Sequence, residues 1–534
     1  MSPFDSPSVL SASVGECAGI VRAICLYYRR RPAAEASEAL REALELVNGR
    51  GPVEVRALLA RLTPPWADHA IASVYAVLMP GDQRKRLGAY FTPPHLVDHL
   101  MFRMEALGVD ISRDRLRDAA SGGAAFLVPS ARRMVKTWLA MRLPRKKIAK
   151  RLAKRLVGSE IDPNLARLAN ALIVRMLRVE FGFSTQQIRL IGKIVRVRDG
   201  LKPAHAAFDH EIGNPPYRRL DAQEQTDQIE RFADIRSGRL NLYAMFVRSA
   251  LEQAPIGGLV GHVIPSSFLG GPEFAAFRRS VSSQAEVLLL DVVEKRSDVF
   301  LDAVQDACFI VLRKRPLPII DPTPHTPTSG VLTHEGFLRE CGLATIPTDE
   351  SPWALPDVDV TGATDGRPGR SLREMGWRAT VGNLVANRET ERMHQEPGPG
   401  RLPLIWAACV LGDGTFDFDR GRLSRQAKGM GFVTLTAGAA GAVLGPCVVV
   451  QRTSSRSQGR RLVAAAIPDE FFLQHRGVVG ENHTLMLIRE RPDAVPAEGL
   501  AALLNTRQAS DAFSRVSGSA SISAKLLNDL RLPI

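Results

Sequence analysis

The sequence predicts an α/β protein: a mostly parallel sheet with helices on both faces, preceded by a helical segment and followed by an α+β domain. Three observations carry that prediction. From about residue 81 to 315, short apolar stretches alternate with helical ones, the pattern of parallel strands joined by helical crossovers. The 534 residues are too many for one hydrophobic core, so two or three domains are expected. Composition is that of a globular chain, 45% hydrophobic and 24% charged, so the alternation and not a compositional bias decides the class.

The elements follow in order. Residues 1–80 form the expected N-terminal helical region. Within it "AAEASEALREALELVNG" spaces its apolar residues by three and four and ends in Asn-Gly, a helix stop. Residues 81–315 carry the strands "RLVGSEID", "IVRVRDG", "FDHEIGNPPY", "GGLVGHVIPSSF", "EVLLLDVVE" and "ACFIVLRK". The last two lie too close together to hold a helix between them, which predicts an antiparallel pair. Residues 316–370, rich in Pro, Thr, Asp and Gly, predict a loop-rich connection. Residues 371–534 form the second domain, with strands such as "CVVVQRT" and "NHTLMLIRE" before a helical "AEGLAALLNTRQASDAFSRV". The uncharged run at 431–450 holds four glycines, a proline and two threonines, which predicts turns and short strands instead of a membrane span.

A net charge of +14 and a pI near 9.8 favour a polyanionic partner, nucleic acid first and an acidic membrane surface behind it. The six cysteines are scattered and make no CxxC pair, which argues against a disulfide framework or a zinc site. A reducing cytoplasm fits. The first residues lack a basic stretch leading into an unbroken apolar run, so no secretory signal is read.

Chemistry gathers at the strand ends. "RDAASGGAAFLVPS" starts at Asp118 and passes through Ala120, Gly122 and Gly123 into a helix, where small residues let backbone approach a ligand and N–H groups stand free. A tight structural turn would look the same. "LVGSEIDP" places Glu160 where a carboxylate can accept both hydroxyls of a ribose, and Asp162 where it caps the helix opened by Pro163. "VRVRDGL" ends a strand with Asp199, a ligand group or a plain turn residue before Gly200. In "GNPPY", Pro215 and Pro216 remove two N–H donors and fix φ, so carbonyl oxygens and the Asn214 amide can point into a crevice as acceptors. Tyr217 adds a face for stacking a planar ring. Between Asp118 and Glu160 lies "RLPRKKIAKRLAKR", with eight Lys or Arg, which is either a DNA-backbone contact or a solvated helix face.

In this order, the motifs resemble those of the gamma-class, TaqI-like S-adenosylmethionine-dependent DNA adenine-N6 methyltransferases. The resemblance covers roughly residues 80 to 315, with a looser echo beyond. "LGAYFTPPHLVDHLM" is similar to the family's methionine-binding segment, with Thr92 at the binding position; "DAASGGAAFL" is similar to "DPACGSGAFL". "GSEIDP", "RDG" and "NPPY" match the ribose, adenine and catalytic motifs. The family pattern implies a Rossmann-like class I methyltransferase domain with a seven-stranded sheet, S-adenosyl-L-methionine as cofactor and duplex DNA as substrate. It implies cofactor contacts at Thr92, Asp118, Ala120, Gly122, Glu160, Asp199 and Pro216. Catalysis falls to Asn214, Pro215, Pro216 and Tyr217, with Phe300 closing on the flipped base opposite Tyr217. No metal is implied, and no general base, because the amine can lose its proton after transfer. Residues 371–534 resemble a target-recognition domain, in which Arg452, Arg456, Arg460 and Arg461 are candidates for groove or phosphate contact. The family's Pro, Cys and third Gly of the cofactor turn are Ala119, Ser121 and Ala124 here. Rival readings are an RNA or protein-glutamine methyltransferase and a decayed DNA-binding module. No persuasive nuclease motif is present, so any restriction partner is expected to be separately encoded.

Overall fold

The computed structural model describes residues 13–30, 32–81, 91–294, 307–316, 325–333, 335–344, 346–347, 349–356, 369–435, 441–453, 460–517 and 521–532. The chain divides into two compact units, Met1–Ser266 with Glu273–Ser351, and Ser267–Pro272 with Pro352–Ile534.

The first unit opens with α1 (Val14–Arg29), α2 (Ala36–Val47), α3 (Val53–Ala60) and α4 (Pro64–Leu78). α1 lies upstream of the helical pattern read from residue 33, and its local signal is a capping box. Ser13 Oγ accepts from the Glu16 N–H, and the Glu16 carboxylate accepts from the Ser13 N–H. These helices do not form a body of their own. Their buried side chains, among them Ile24, Leu40 and Val74, belong to one apolar cluster with those of the helices flanking the sheet: α5 (Pro94–Ala106), α6 (Leu127–Ala140), α7 (Arg145–Arg155) and α8 (Pro163–Val179). Asp68 of α4 sits 2.7 Å from both Arg132 of α6 and Arg175 of α8. Burial raises its carboxyl pKa against the pull of the two arginines.

The sheet has nine strands: β1 (Leu116–Asp118), β2 (Leu156–Glu160), β3 (Val195–Val197), β4 (His210–Gly213), β5 (Leu259–Pro265), β6 (Ala285–Val293), β7 (Ala307–Lys314), β8 (Thr328–Leu332) and β9 (Leu338–Leu343). Their order is β3-β2-β1-β4-β5-β7-β6-β8-β9. β1 to β5 pair with one another in parallel, whereas β7 runs antiparallel to both β5 and β6. The first seven strands are those the sequence patterns anticipate. β8 and β9 come from the stretch expected as a loop-rich connection; Val331 and Leu332 are buried there as β8 pairs with β6. Successive strands proceed outward from β1 to β3, then return to the other side of β1 with β4. The order therefore reverses between β1 and β4, where ligands bind in open sheets of this kind.

The second unit is α+β. Strands β10 (Trp377–Val381), β18 (Thr484–Arg489), β15 (Cys447–Gln451) and β16 (Ala464–Ala466) form an antiparallel sheet in that order, with Trp377, Leu504 and Phe513 in one core beside it. β11 (Met393–His394), β13 (Phe432–Thr434), β12 (Arg401–Ile405), β17 (Val478–Gly480) and β14 (Ala442–Val443) form a second sheet. The uncharged run 431–450 thus contributes β13, β14 and part of β15, and no helix among the described residues is long and apolar enough to cross a membrane. The turn that follows β5, Ser267–Pro272, packs within this unit although the sequence assigns it to the first domain. The Trp353 N–H donates to the Leu269 carbonyl at 2.8 Å, and the Trp353 and Phe268 rings meet edge to face at 5.6 Å.

Candidate active site at the carboxyl edge of the sheet

Four strand ends converge on one cavity of about 640 Å³ at the reversal of strand order. Ala120 and Gly122 after β1, Glu160 at the end of β2, Asp199 after β3, and Asn214 and Pro216 after β4 all line it. These six were singled out by sequence. A volume of this size suits a nucleoside-sized ligand, since such sites run from roughly 300 to 1,000 Å³.

The turn after β1 is held by its own polar groups. The Ala120 N–H donates to Asp118 Oδ1 at 3.1 Å, the Ser121 hydroxyl to the Asp118 carbonyl at 3.1 Å, and the Ser121 N–H to the Ser159 carbonyl at 2.9 Å. Asp118 is only 1% exposed and does not line the cavity; burial pushes its carboxyl pKa well up. The structure therefore places this predicted cofactor residue inside the turn, where it braces the backbone. Gly122 (φ +49°) donates its N–H to Glu160 Oε2 at 2.8 Å, while Asp162 donates its N–H to Glu160 Oε1 at 2.9 Å. Two backbone donors thus aim the Glu160 carboxylate. Asp162 itself caps α8 by accepting from the Asn164 and Leu165 N–H groups at 2.8 Å, as expected for the residue before Pro163.

Ala124, where the family turn has glycine, adopts φ +60°. The turn is kept at the cost of a left-handed alanine, roughly 1 kcal/mol or somewhat more. Restoring glycine removes that strain but adds unfolded-state freedom, about 0.4–1 kcal/mol in the other direction. Ala124→Gly is therefore expected to stabilise the first unit by up to about 1 kcal/mol, read as a higher urea midpoint. A lower midpoint would mean that the Cβ contributes packing that outweighs its strain.

Asn214 stands at the same edge with its amide only partly paired. Its Nδ2 donates to Thr92 Oγ1 at 2.9 Å, while its buried Oδ1 has no hydrogen-bond partner among the described residues. Thr92, expected as a cofactor contact, does not line the large cavity and pairs with the Asn214 amide instead. Tyr217 is half-buried, donates its hydroxyl to the Val263 carbonyl at 2.9 Å and meets Tyr243 edge to face at 6.3 Å, which fixes its ring plane. Phe300 lies outside the described residues. Asp199 accepts the Leu201 N–H at 3.0 Å as a turn residue does, and it also lines the cavity.

Sequence reasoning did not single out the apolar walls. Ile161, Leu201, Met245 and Phe246 line the cavity. The first two follow a motif acidic residue within two positions, a usable signal, but Met245 and Phe246 sit on the later helix Leu242–Gln253. Arg218 lines the cavity in a two-point pair with Glu224, at 2.5 and 2.8 Å, which holds the Glu224 pKa down at about 2. Arg219 pairs with Glu273 at 3.0 Å.

Of the expected DNA arginines, Arg461 is contradicted: it is 2% exposed and packs its guanidinium over the Phe513 ring at 5.4 Å. Arg452 donates to the Asn482 carbonyl at 2.7 Å, and Arg460 to the Asn505 and Gly412 carbonyls, so each spends donors on its own unit. Arg456 lies outside the described residues. The basic insert is α7, seated by Ile148, Ala149 and Leu152 with Lys146, Lys147, Lys150 and Lys154 in solvent.

Parallel strands that reverse order above a cavity lined by four strand-end motifs define a Rossmann-like, class I methyltransferase fold. More particularly, residues 157–300 match the family described as Eco57I restriction-modification methylase. The chain is 23% identical over 360 residues to the type II methyltransferase M.BsuBI of Bacillus subtilis, across 61% of this chain and 65% of that protein. With M.PaeR7I of Pseudomonas aeruginosa it shares 24% identity over 354 residues, 61% of this chain and 60% of the relative. It thus spans less than two thirds of either relative's length. A solved structure of the type IIL restriction-modification enzyme MmeI in complex with DNA has the same fold, with a TM-score of 0.54 at 15% identity, over 90% of this chain and 73% of that one.

Proposed function

We propose that this chain is a site-specific DNA adenine-N6 methyltransferase working in a restriction-modification or phage-defence setting. One observation carries the reading: a buried amide oxygen, Asn214 Oδ1, left without a partner among the described residues, beside a cavity of nucleoside size. A buried acceptor without a donor costs about 1–3 kcal/mol, a cost a fold retains where a ligand supplies the donor. S-Adenosyl-L-methionine supplies the methyl group when bound, and the donor and acceptor set suits it. Glu160 offers a carboxylate to paired hydroxyls, Leu201 and Phe246 offer apolar faces to a purine, and Ala120 and Gly122 keep the turn beside them free of bulk.

The chain's own residues position the acceptor base. An adenine inside the duplex cannot reach the crevice, so it must be flipped out at a few kcal/mol. Tyr217 and Phe300 stack on it, returning roughly 1–3 kcal/mol per contact. Asn214 Oδ1 and the Pro215 carbonyl accept the two amino hydrogens, which aligns the nitrogen lone pair for attack in a site shielded from water. The amine sheds its proton after transfer. The "NPPY" motif supports adenine as the base, and the relatives' names support the restriction-modification setting. Double-stranded DNA is the partner, engaged by the second unit, with a separately encoded endonuclease as its counterpart.

The test is transfer of tritium from methyl-labelled S-adenosylmethionine to unmethylated plasmid DNA, followed by digestion to nucleosides. Label in N6-methyladenine is expected. Label in RNA or protein, or in N4-methylcytosine, would replace this reading with another acceptor.

A further inference from the structure

Two proline-stiffened segments meet at Asn214. One is Thr92-Pro93-Pro94, where Pro93 caps and Pro94 opens α5; the other is Asn214-Pro215-Pro216, which closes β4. They are joined by the Asn214 Nδ2 to Thr92 Oγ1 hydrogen bond, 122 residues apart in sequence. Thr92 is 3% exposed, and its branched Cβ restricts χ1, so its hydroxyl is a fixed point.

A side-chain amide can serve the proposed reaction in only one of its two orientations. Oδ1 toward the acceptor base receives an amino hydrogen, whereas Nδ2 there would set donor against donor. Turning the amide over would let Oδ1 accept from Thr92, but both protons of Nδ2 would then need other acceptors. The observed orientation pairs one Nδ2 proton with Thr92 and leaves Oδ1 as the open acceptor among the described residues. We propose that Thr92 is a positioning residue for methyl transfer: its hydroxyl holds Nδ2 of Asn214 and so turns Oδ1 toward the incoming amino group. The assignment rests on the transferase reading above and differs from a cofactor contact at Thr92, since that side chain does not line the large cavity.

The test uses the full chain with Thr92→Val, which keeps the shape without the hydroxyl, and Thr92→Ser, which keeps the hydroxyl without the methyl. Three quantities are read: the single-turnover transfer rate at saturating S-adenosylmethionine, the calorimetric Kd for S-adenosylhomocysteine, and the thermal unfolding midpoint. Thr92→Val should slow transfer by about 100-fold with Kd unchanged within about threefold, and Thr92→Ser should recover most of the rate. Three outcomes overturn the proposal. In the first, Kd weakens by about tenfold while the saturated rate holds, which makes Thr92 a cofactor ligand. In the second, serine is as slow as valine, so the hydroxyl is not the cause. In the third, valine is as fast as wild type. Absence of transfer by the wild-type chain would instead sink the reading on which the proposal rests.

Discussion

Replacing Asn214 by alanine is expected to lower methyl transfer by about 100- to 1,000-fold, the usual loss when one preorganised polar group at a reacting centre is removed. The cofactor Kd should stay within about threefold, because Asn214 forms only part of the cavity wall. The argument is electrostatic. An aromatic amino group is a poor nucleophile while its lone pair is delocalised into the ring, and acceptors on both N–H bonds direct that lone pair outward. Asn214 Oδ1 is an acceptor already desolvated and already oriented, so little reorganisation remains for the moment of reaction. Alanine removes it and leaves the cavity otherwise intact. Single-turnover kinetics beside calorimetric titration checks this. Equal losses in rate and affinity would show that Asn214 builds the cavity and does not act on the acceptor.

Gly200→Ala is expected to weaken cofactor binding by more than about 100-fold and to destabilise the first unit by about 1–3 kcal/mol, the range for an overpacked site. A Cβ at Gly200 would stand 1.8 Å from the Ala119 carbonyl oxygen and 2.9 Å from the Phe246 ring. The nearer atom is backbone, so no rotamer change relieves the clash, and the loops after β1 and β3 must separate. Ala119, Gly200 and Phe246 all line the cavity, so the separation deforms the site itself. It also strains the hydrogen bond from Arg117 to the Gly200 carbonyl, now 2.8 Å. Titration with S-adenosylhomocysteine and urea unfolding would each register the change; near-normal affinity would show that the loops part without cost.

Much of the site was legible because its signals are local. Asp162 before Pro163 caps α8 as read, and Ala120, Gly122, Glu160, Asp199, Asn214 and Pro216 share one cavity. Turn chemistry and strand ends depend on a handful of consecutive residues, so a motif reports them directly. Burial does not work that way. Arg461 sits in an arginine-rich stretch that suggested phosphate contact, yet its guanidinium covers Phe513, 52 residues downstream. Asp118 has the side chain of a ligand group and the burial of a core residue. Composition also misleads where strands are short: the Pro- and Thr-rich connection includes β8 and β9, whose pairing partners supply the order that the segment itself does not advertise.

The sequence by itself determined which residues stand at the carboxyl edge of the sheet, because alternation of strand and helix, proline-fixed φ and acidic caps act within one or two turns of chain. Tertiary structure alone decided which way the key amide faces. That depends on Thr92 and Asn214 meeting across 122 residues, and thus on how α5 seats beside the parallel strands. Packing geometry of that kind is set by the shape of the whole core, which no local pattern encodes.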